Sequence, residues 1–117
     1  METILAVVTD LFFAVKVTDG AKRAGREVKY VQNLQQALAY AQQAKPVMVV
    51  ADLNCRDVDS LEFARQLKND PGTSAIPMLG FLSHVQEDLK QAALAAGFDR
   101  VVARSTFSDK ARDLLAG

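Results

Sequence analysis

Residues 47–51 (VMVVA) constrain the fold more than any other part of the chain, because this run of apolar side chains contains no polar one. A strand of this kind needs cover on both faces, as the central strand of a parallel sheet has. The run is too short to form a buried helix, and Pro46 stands directly before it. We therefore expect it to form a central strand of an α/β fold.

Four further apolar runs alternate with segments of helical periodicity. The five predicted strands are residues 4–8, 28–31, 47–51, 78–81 and 100–103. Strands that alternate with helices predict right-handed crossovers and a parallel sheet with helices on both faces. The chain of 117 residues has the length of one such domain, which we expect to span residues 1–117.

Capping residues and apolar stripes predict where the helices lie. The first helix is expected over about residues 11–24, ending at Gly25, and Asn33 and Ser60 are expected to cap the second and third. Phe12 and Phe13 are adjacent, so only one of them can face the sheet. Apolar residues at helical spacing mark the fourth and fifth helices; they are Val85, Leu89, Ala92, Ala93 and Ala96, followed by Gly97, and then Ala111, Leu114 and Leu115.

Charge and cysteine content argue against several classes of function. The 14 basic and 14 acidic side chains give a formal net charge of zero, and no cluster of Lys and Arg is present, so we expect no binding to nucleic acid. Cys55 is the only cysteine, so an internal disulfide is impossible and no CxxC metal site exists. The N-terminus lacks a basic segment and a cleavage site, and no stretch reaches the roughly 18 apolar residues of a membrane span. These features predict a cytoplasmic protein without a membrane segment.

Polar side chains follow four of the five predicted strands. In open parallel sheets, ligands and reactive groups lie outside the carboxyl ends of the strands. We therefore expect a cluster of polar groups at this edge, drawn from Thr9, Asp10, Asp52, Asn54, Ser83, His84, Arg104 and Ser105.

Residues 50–60 (VADLNCRDVDS) resemble the segment after strand three of response-regulator receiver domains of the CheY-like type. Residues 76–79 (IPML) are similar to the fourth strand of that family, and residues 95–99 (AAGFD) to its approach to strand five. The blocks keep the family's order and spacing over essentially the whole chain. The resemblance implies a flavodoxin-like (βα)5 three-layer sandwich, with a five-stranded parallel sheet of strand order 2-1-3-4-5.

The resemblance also implies phosphoryl transfer to a carboxylate in two-component signalling and phosphorelay. Asp52 falls on the position of the phosphoacceptor, and Asp10, Thr9 and Asn54 fall in the acidic pocket around it. The family holds Mg²⁺ with neighbouring carboxylates, but Thr9 stands where a carboxylate is usual, so Asp10 and Asp52 predict only weak Mg²⁺ binding. We expect no other cofactor.

Three further positions depart from the family pattern. Leu82 stands where the family has Thr or Ser, with Ser83 one residue later, and Val101 replaces an aromatic switch residue. Arg104 replaces a Lys, and its planar guanidinium is not equivalent to a compact ammonium. These departures imply a stand-alone degenerate receiver, or pseudo-receiver, that keeps the fold and acts by protein–protein contact, with no catalytic residues and no enzymatic activity.

Each of these residues also has a structural explanation. Asp52 could cap the loop that follows its strand, and Asp10 could cap the first helix. Arg104 could form an ion pair with Asp52 or Asp10. His84 is read as a solvated or capping side chain, because no second metal ligand lies near it in sequence, and Cys55 as an unreactive thiol because Asp52, Asp57 and Asp59 surround it.

The family resemblance implies other signalling proteins as partners, such as a histidine kinase or an output protein. The expected contact face is helix four, strand five and helix five, here residues 84–97 and 100–115, with homodimerisation through the same face as a second expectation. Two alternative functions stay open. One is a phosphorylatable single-domain response regulator that accepts phosphate on Asp52; the other is a small flavodoxin-like ligand-binding protein, although no Gly-rich phosphate loop follows strand one.

Overall fold

The computed structural model describes residues 2–83 and 86–117 and contains five strands, each followed by a helix. The strands are β1 (Thr3–Val7), β2 (Glu27–Tyr30), β3 (Met48–Asp52), β4 (Met78–Leu82) and β5 (Arg100–Ala103). The helices are α1 (Leu11–Arg23), α2 (Leu34–Ala44), α3 (Ser60–Asn69), α4 (Glu87–Ala96) and α5 (Arg104–Ala116). Within these residues, none of the helices has the length and apolar character that crossing a membrane requires.

The strands form one parallel sheet of order β2-β1-β3-β4-β5, with β3 in the middle. All five residues of β3 are buried, and Val50 pairs with Ala6 on one side and Leu79 on the other. This confirms the predicted fold class, the strand order and the central position of the apolar run. The predicted and observed bounds of the strands differ by one residue at seven of the ten strand ends.

Helices cover both faces of the sheet, and each face has its own hydrophobic core. Alternate residues of each strand point to opposite faces, so Ile4 and Ala6 join one core while Leu5 and Val7 join the other. Helices α1 and α5 pack on the first face, which we call the α1–α5 face. Helices α2, α3 and α4 pack on the second.

The capping predictions were right for α2 and wrong for α3. The side chain of Asn33 accepts a hydrogen bond from the Gln36 amide and caps α2 as expected. The N-cap of α3 is Asp59, which accepts from the Glu62 amide, and not Ser60. Ser60 is already inside the helix, and its hydroxyl donates to the carbonyl of Asp52, which ties α3 to the end of β3.

Glycine ends α4 for a conformational reason. Gly97 follows the last residue of α4 at φ 128°, a value that side chains with a Cβ rarely adopt. The predicted apolar stripe of this helix is buried at Ala93 and Ala96. Val85, the first residue of that stripe, and His84 lie outside the described residues.

Candidate functional site

Three charged side chains from three elements meet at the carboxyl edge of the sheet. Asp52 is the last residue of β3, Asp10 is the N-cap of α1, and Arg104 is the first residue of α5. The Arg104 Nη2 donates to Asp52 Oδ2 at 2.7 Å, and its Nη1 lies 3.6 Å from Asp10 Oδ2. The sequence suggested an ion pair of Arg104 with one of the two aspartates, and the structure contains both.

Both carboxylate oxygens of Asp52 have partners. The residue is only 3% exposed, and while Oδ2 binds Arg104, Oδ1 accepts a hydrogen bond from the Asn54 amide at 2.8 Å. Asp52 therefore caps the loop after β3, as its structural explanation predicted. Because a buried carboxylate is costly unless it is paired and hydrogen-bonded, these contacts are what allow a charge at this position.

Asp10 divides its two oxygens between α1 and Arg104. Its Oδ1 accepts from the amides of Phe12 at 2.9 Å and Phe13 at 3.4 Å, and its Oδ2 faces the guanidinium. The amides at a helix N-terminus favour a negative charge, so Asp10 is well placed as a cap. This contact confirms the predicted N-cap.

Arg104 also lies against a cluster of three phenylalanine rings. Phe13, Phe81 and Phe107 have ring centroids 4.4 to 5.4 Å apart. The guanidinium carbon of Arg104 is 5.1 Å from the Phe13 ring centroid and 5.7 Å from that of Phe81, within the range of a cation–π contact. The Arg104 Nε is buried and, within the described part of the chain, has no hydrogen-bond partner. The guanidinium is therefore fixed by carboxylates on one side and by aromatic rings on the other.

Sequence reasoning missed this aromatic cluster. Phe81 and Phe107 lie on β4 and α5, and only the assembled sheet brings them to Phe13. Adjacent Phe12 and Phe13 did signal that one ring faces the core. The structure buries Phe13 and exposes Phe12.

The groups at this edge do not fit the requirements of Mg²⁺. This ion prefers an octahedral set of oxygen ligands, several of them waters, around one or more free carboxylates. Here the two carboxylates, Asp10 and Asp52, both face the guanidinium of Arg104. Thr9 supplies a hydroxyl in place of a third carboxylate, and that hydroxyl shares a hydrogen bond of 3.4 Å with Cys55 Sγ. In residues 2–83 and 86–117, no group of three His, Cys, Asp or Glu side chains is arranged to hold a metal.

Asn54 joins the loop after β3 to the segment after β4. Its Oδ1 accepts from the Ser83 amide at 2.9 Å, and its Nδ2 donates to Gln86 Oε1 at 3.0 Å. The sequence placed Asn54 in the acidic pocket, and the structure places its side chain in this bridge between loops. Ser83 contributes its backbone amide here.

Leu82 and Val101 occupy the two remaining positions that the resemblance singled out. Leu82 is buried at the end of β4, beside Ala103 of β5, and belongs to the core beneath α2, α3 and α4. Val101 is partly buried against the same core. Neither side chain carries a hydroxyl or an aromatic ring.

Comparison with known proteins agrees with this architecture. The family model described as response regulator receiver domain matches residues 6–115. A crystal structure of a response regulator from Hahella chejuensis superposes with a TM-score of 0.88 at 19% identity, over 99% of this chain and 93% of that one. At this low identity, the superposition shows the shared fold alone.

Two curated proteins are also similar in sequence. The KDP operon transcriptional regulatory protein KdpE of Escherichia coli is 36% identical over 75 residues, which is 64% of this chain and 32% of that protein. The phosphate regulon transcriptional regulatory protein PhoB of Pseudomonas aeruginosa is 29% identical over 103 residues, which is 88% of this chain and 45% of that protein. The matches thus cover less than half the length of either relative. Because the family model matches nearly the whole chain, this chain belongs to the response regulator receiver domain family.

Proposed function

We propose that this receiver domain of two-component signalling has a degenerate phosphorylation site and works in the cytoplasm by binding other signalling proteins. The observation that carries the proposal is the ion pair between Arg104 and the buried Asp52. On this proposal the domain is not an enzyme, and Asp52 stays paired with Arg104 in its one functional state.

Phosphoryl transfer to an aspartate needs a carboxylate oxygen that is free to attack, a metal ion beside it and a cation over the phosphoryl oxygens. In this chain the Asp52 Oδ2 is bound to Arg104 and the Oδ1 to the Asn54 amide. Each contact lowers the nucleophilicity of the oxygen that accepts it, and the guanidinium on Oδ2 lies in the space that a phosphoryl group approaching that oxygen would need. The poor fit of the two paired carboxylates to Mg²⁺ supports the same conclusion.

One observation favours a second candidate function, a receiver that accepts phosphate on Asp52. Asp52 and Asp10 are both present, and Arg104 already places a cation 2.7 Å from the acceptor carboxylate. A guanidinium binds phosphate well, so Arg104 could turn from Asp52 to an incoming phosphoryl group. This function needs Mg²⁺ to bind with two carboxylates.

The proposed partners are a histidine kinase or an output protein that binds the face formed by α4, β5 and α5. In the described part of this face, exposed side chains are mostly polar; they include Gln91, Arg100, Lys110 and Arg112. Leu94 is its one large apolar side chain with substantial exposure, at 37%. We therefore expect a polar contact whose affinity falls as the salt concentration rises.

The test is incubation with Mg²⁺ and a small-molecule phosphodonor, followed by intact-mass measurement. We expect no mass gain in the natural chain and none in the control variant Asp52→Asn. A phosphate-sized gain in the natural chain that is absent from Asp52→Asn would establish the second candidate function instead. The double variant Thr9→Asp/Arg104→Lys restores a second neighbouring carboxylate and an ammonium, and we expect it to gain phosphate on Asp52.

A further inference from the structure

Helix α1 exposes three large apolar side chains next to one another. Leu11 and Phe12 are 83% and 82% exposed, and Val15, one turn later, is 69% exposed. Elsewhere in the described residues, Leu94 is the only other large apolar side chain with more than a third of its surface exposed. We call Leu11, Phe12 and Val15 the α1 patch. An apolar cluster of this size on a small domain is typical of an interaction site.

A groove of about 990 Å³ runs beside the α1 patch. Leu11 and Val15 belong to both, since they form one wall of the groove, and the ends of β1 and β2 form the other side. Val8, Ala14 and Val31 supply further apolar lining, and Asp19, Lys22 and Asp57 are charged residues that also line it. The same surface therefore carries protruding apolar side chains and an apolar groove able to receive such side chains.

We propose that this surface binds the same surface of a second copy of the chain, forming a twofold symmetric dimer. In a twofold interface the same patch lies on both subunits, so a surface must be complementary to itself. The α1 patch and its groove meet this requirement, because Leu11 and Phe12 of each copy can enter the groove of the other. An antiparallel crossing of the two α1 helices then places Val15 of each copy near the axis.

The charges of the chain are compatible with self-association. The formal net charge is zero, so no long-range repulsion opposes the approach of two copies. Beyond the patch, α1 carries charges of both signs, and Asp19 pairs with Arg23 at 3.2 Å within one copy. A twofold contact therefore does not set a surface of one sign against itself.

The exposed area indicates a weak dimer. The three side chains of the α1 patch expose on the order of 400 Å² of apolar surface. The walls of the groove add to this, which brings the contact toward the roughly 600 Å² per partner of weak, transient interfaces. We therefore expect a dimer that dissociates on dilution. This surface is distinct from the face of α4, β5 and α5, where homodimerisation stays a prediction from family resemblance.

Sedimentation equilibrium over a wide concentration range tests the proposal. We expect the average mass to rise from 12.7 kDa towards twice that value as the concentration increases. The double variant Leu11→Ser/Phe12→Ser should raise the dissociation constant at least about tenfold, since it removes the groups that enter the groove. The matched control Leu94→Ser, on the face of α4, β5 and α5, should leave the constant unchanged.

A disulfide across the axis gives a second, independent readout. In the background Cys55→Ser, the variant Val15→Cys should form a covalent dimer on mild oxidation, and Leu94→Cys should not. A chain that stays monomeric at every concentration would overturn the proposal and leave the α1 patch to a different protein. A dimer that Leu94→Ser weakens, while Leu11→Ser/Phe12→Ser does not, would also overturn it. Circular dichroism of each variant separates loss of association from loss of fold.

Discussion

Arg104 makes contacts that a lysine at the same position could not reproduce. Its planar guanidinium reaches Asp52 and Asp10 with two different nitrogens while its face lies against Phe13 and Phe81. An ammonium is a compact, strongly hydrated charge, without a flat face to stack on rings. Arg104 therefore contacts both the carboxylates at the edge of the sheet and the rings of the aromatic cluster.

Removing this charge should destabilise the fold. In Arg104→Ala, the buried carboxylate of Asp52 loses its cation and keeps only the Asn54 amide. Loss of one partner of a fully buried ion pair costs about 3 to 5 kcal/mol, and because Arg104 is partly exposed we expect about 2 kcal/mol. The free energy of unfolding in urea at neutral pH measures this loss.

Two further variants identify the cause. Arg112 pairs with Asp113 on the surface, where both side chains are mostly exposed, so Arg112→Ala should change the free energy of unfolding by less than about 0.5 kcal/mol. Adding Asp52→Asn to Arg104→Ala should cost less than the sum of the two single changes, since the second removes the unpaired charge left by the first. Strict additivity would mean that the two side chains do not stabilise each other.

The contacts of single charged residues at the carboxyl edge of the sheet could be predicted from sequence, but the aromatic rings packed around them could not. The ion pair of Arg104, the cap at Asp10 and the loop contact of Asp52 followed from local rules for charged residues near strand ends. The aromatic cluster did not, because Phe13, Phe81 and Phe107 are far apart along the chain. Serine is common at the N-cap position, which favours Ser60, although Asp59 beside it is equally suited.

At the scale of elements, helices α1 and α5 pack closely against each other at Gly20. A Cβ atom built on Gly20 of α1 would lie 2.8 Å from the Ala111 Cβ and 3.2 Å from the Ala111 backbone carbon. Glycine is therefore needed at this position for space. With any larger residue the two helices must move apart.

The variant Gly20→Val should therefore lower the free energy of unfolding. Overpacking of a tight contact costs about 1 to 3 kcal/mol, and thermal or urea unfolding measures it. Lys16→Val, at an exposed position of the same helix, controls for the helix propensity of valine. Adding Ala111→Gly to Gly20→Val should recover part of the loss. Because valine is a better helix former than glycine, a stability of Gly20→Val at or above that of the natural chain would mean that α1 and α5 separate at no cost.

The start of α5 could not be predicted as well as the other helix boundaries. Residues Ala111, Leu114 and Leu115 indicated its second half, but the helix begins at Arg104, directly after β5. Its N-cap, Ala103, makes no capping hydrogen bond from its side chain, so the sequence carries no start signal. Lys110 has non-helical φ and ψ angles of −123° and 23°, which divides the helix between its first and second halves.

At the scale of the whole molecule, Tyr30 connects the edge strand β2 to α1 by hydrogen bonds. The Tyr30 hydroxyl donates to the Ala14 carbonyl at 2.7 Å, so the Thr18 hydroxyl, also at 2.7 Å, must donate to the Tyr30 oxygen. Burial raises the pKa of Tyr30 above its ordinary value, and the hydrogen bonds with Thr18 offset only part of this rise. The folded chain therefore holds this proton to higher pH than the unfolded chain does.

The raised pKa of Tyr30 in the folded chain determines how the free energy of unfolding changes with pH. Tyr30 is neutral in both states below pH about 10, so its full contribution to stability is present there. As the pH rises further, the unfolded chain loses the proton first, and the free energy of unfolding falls until the folded pKa is passed. Urea unfolding between pH 9 and about 11 should show a smaller decrease in Tyr30→Phe than in the natural chain. An identical decrease in Tyr30→Phe, with Tyr40→Phe as the control, would contradict this assignment.

The overall architecture was the part most open to prediction from sequence. A fully apolar run at 47–51 required cover on both faces, and alternation of strands with helices left few topologies. The strand order came from the family resemblance, because the residue pattern of a strand does not indicate which strands pair with it. The α1 patch was not predicted, since helical periodicity places Phe13 in the core but does not say whether another element covers Phe12.

The cation that neutralises Asp52 is part of the polypeptide itself. Whether a metal ion or a phosphate is bound depends on its concentration in the cell. A guanidinium that belongs to the chain is instead present beside Asp52 in every copy. If the proposed function is right, the fraction of molecules phosphorylated on Asp52 therefore cannot carry a signal. The remaining variable is how many molecules the cell makes, so the information such a domain carries would be set by expression and degradation.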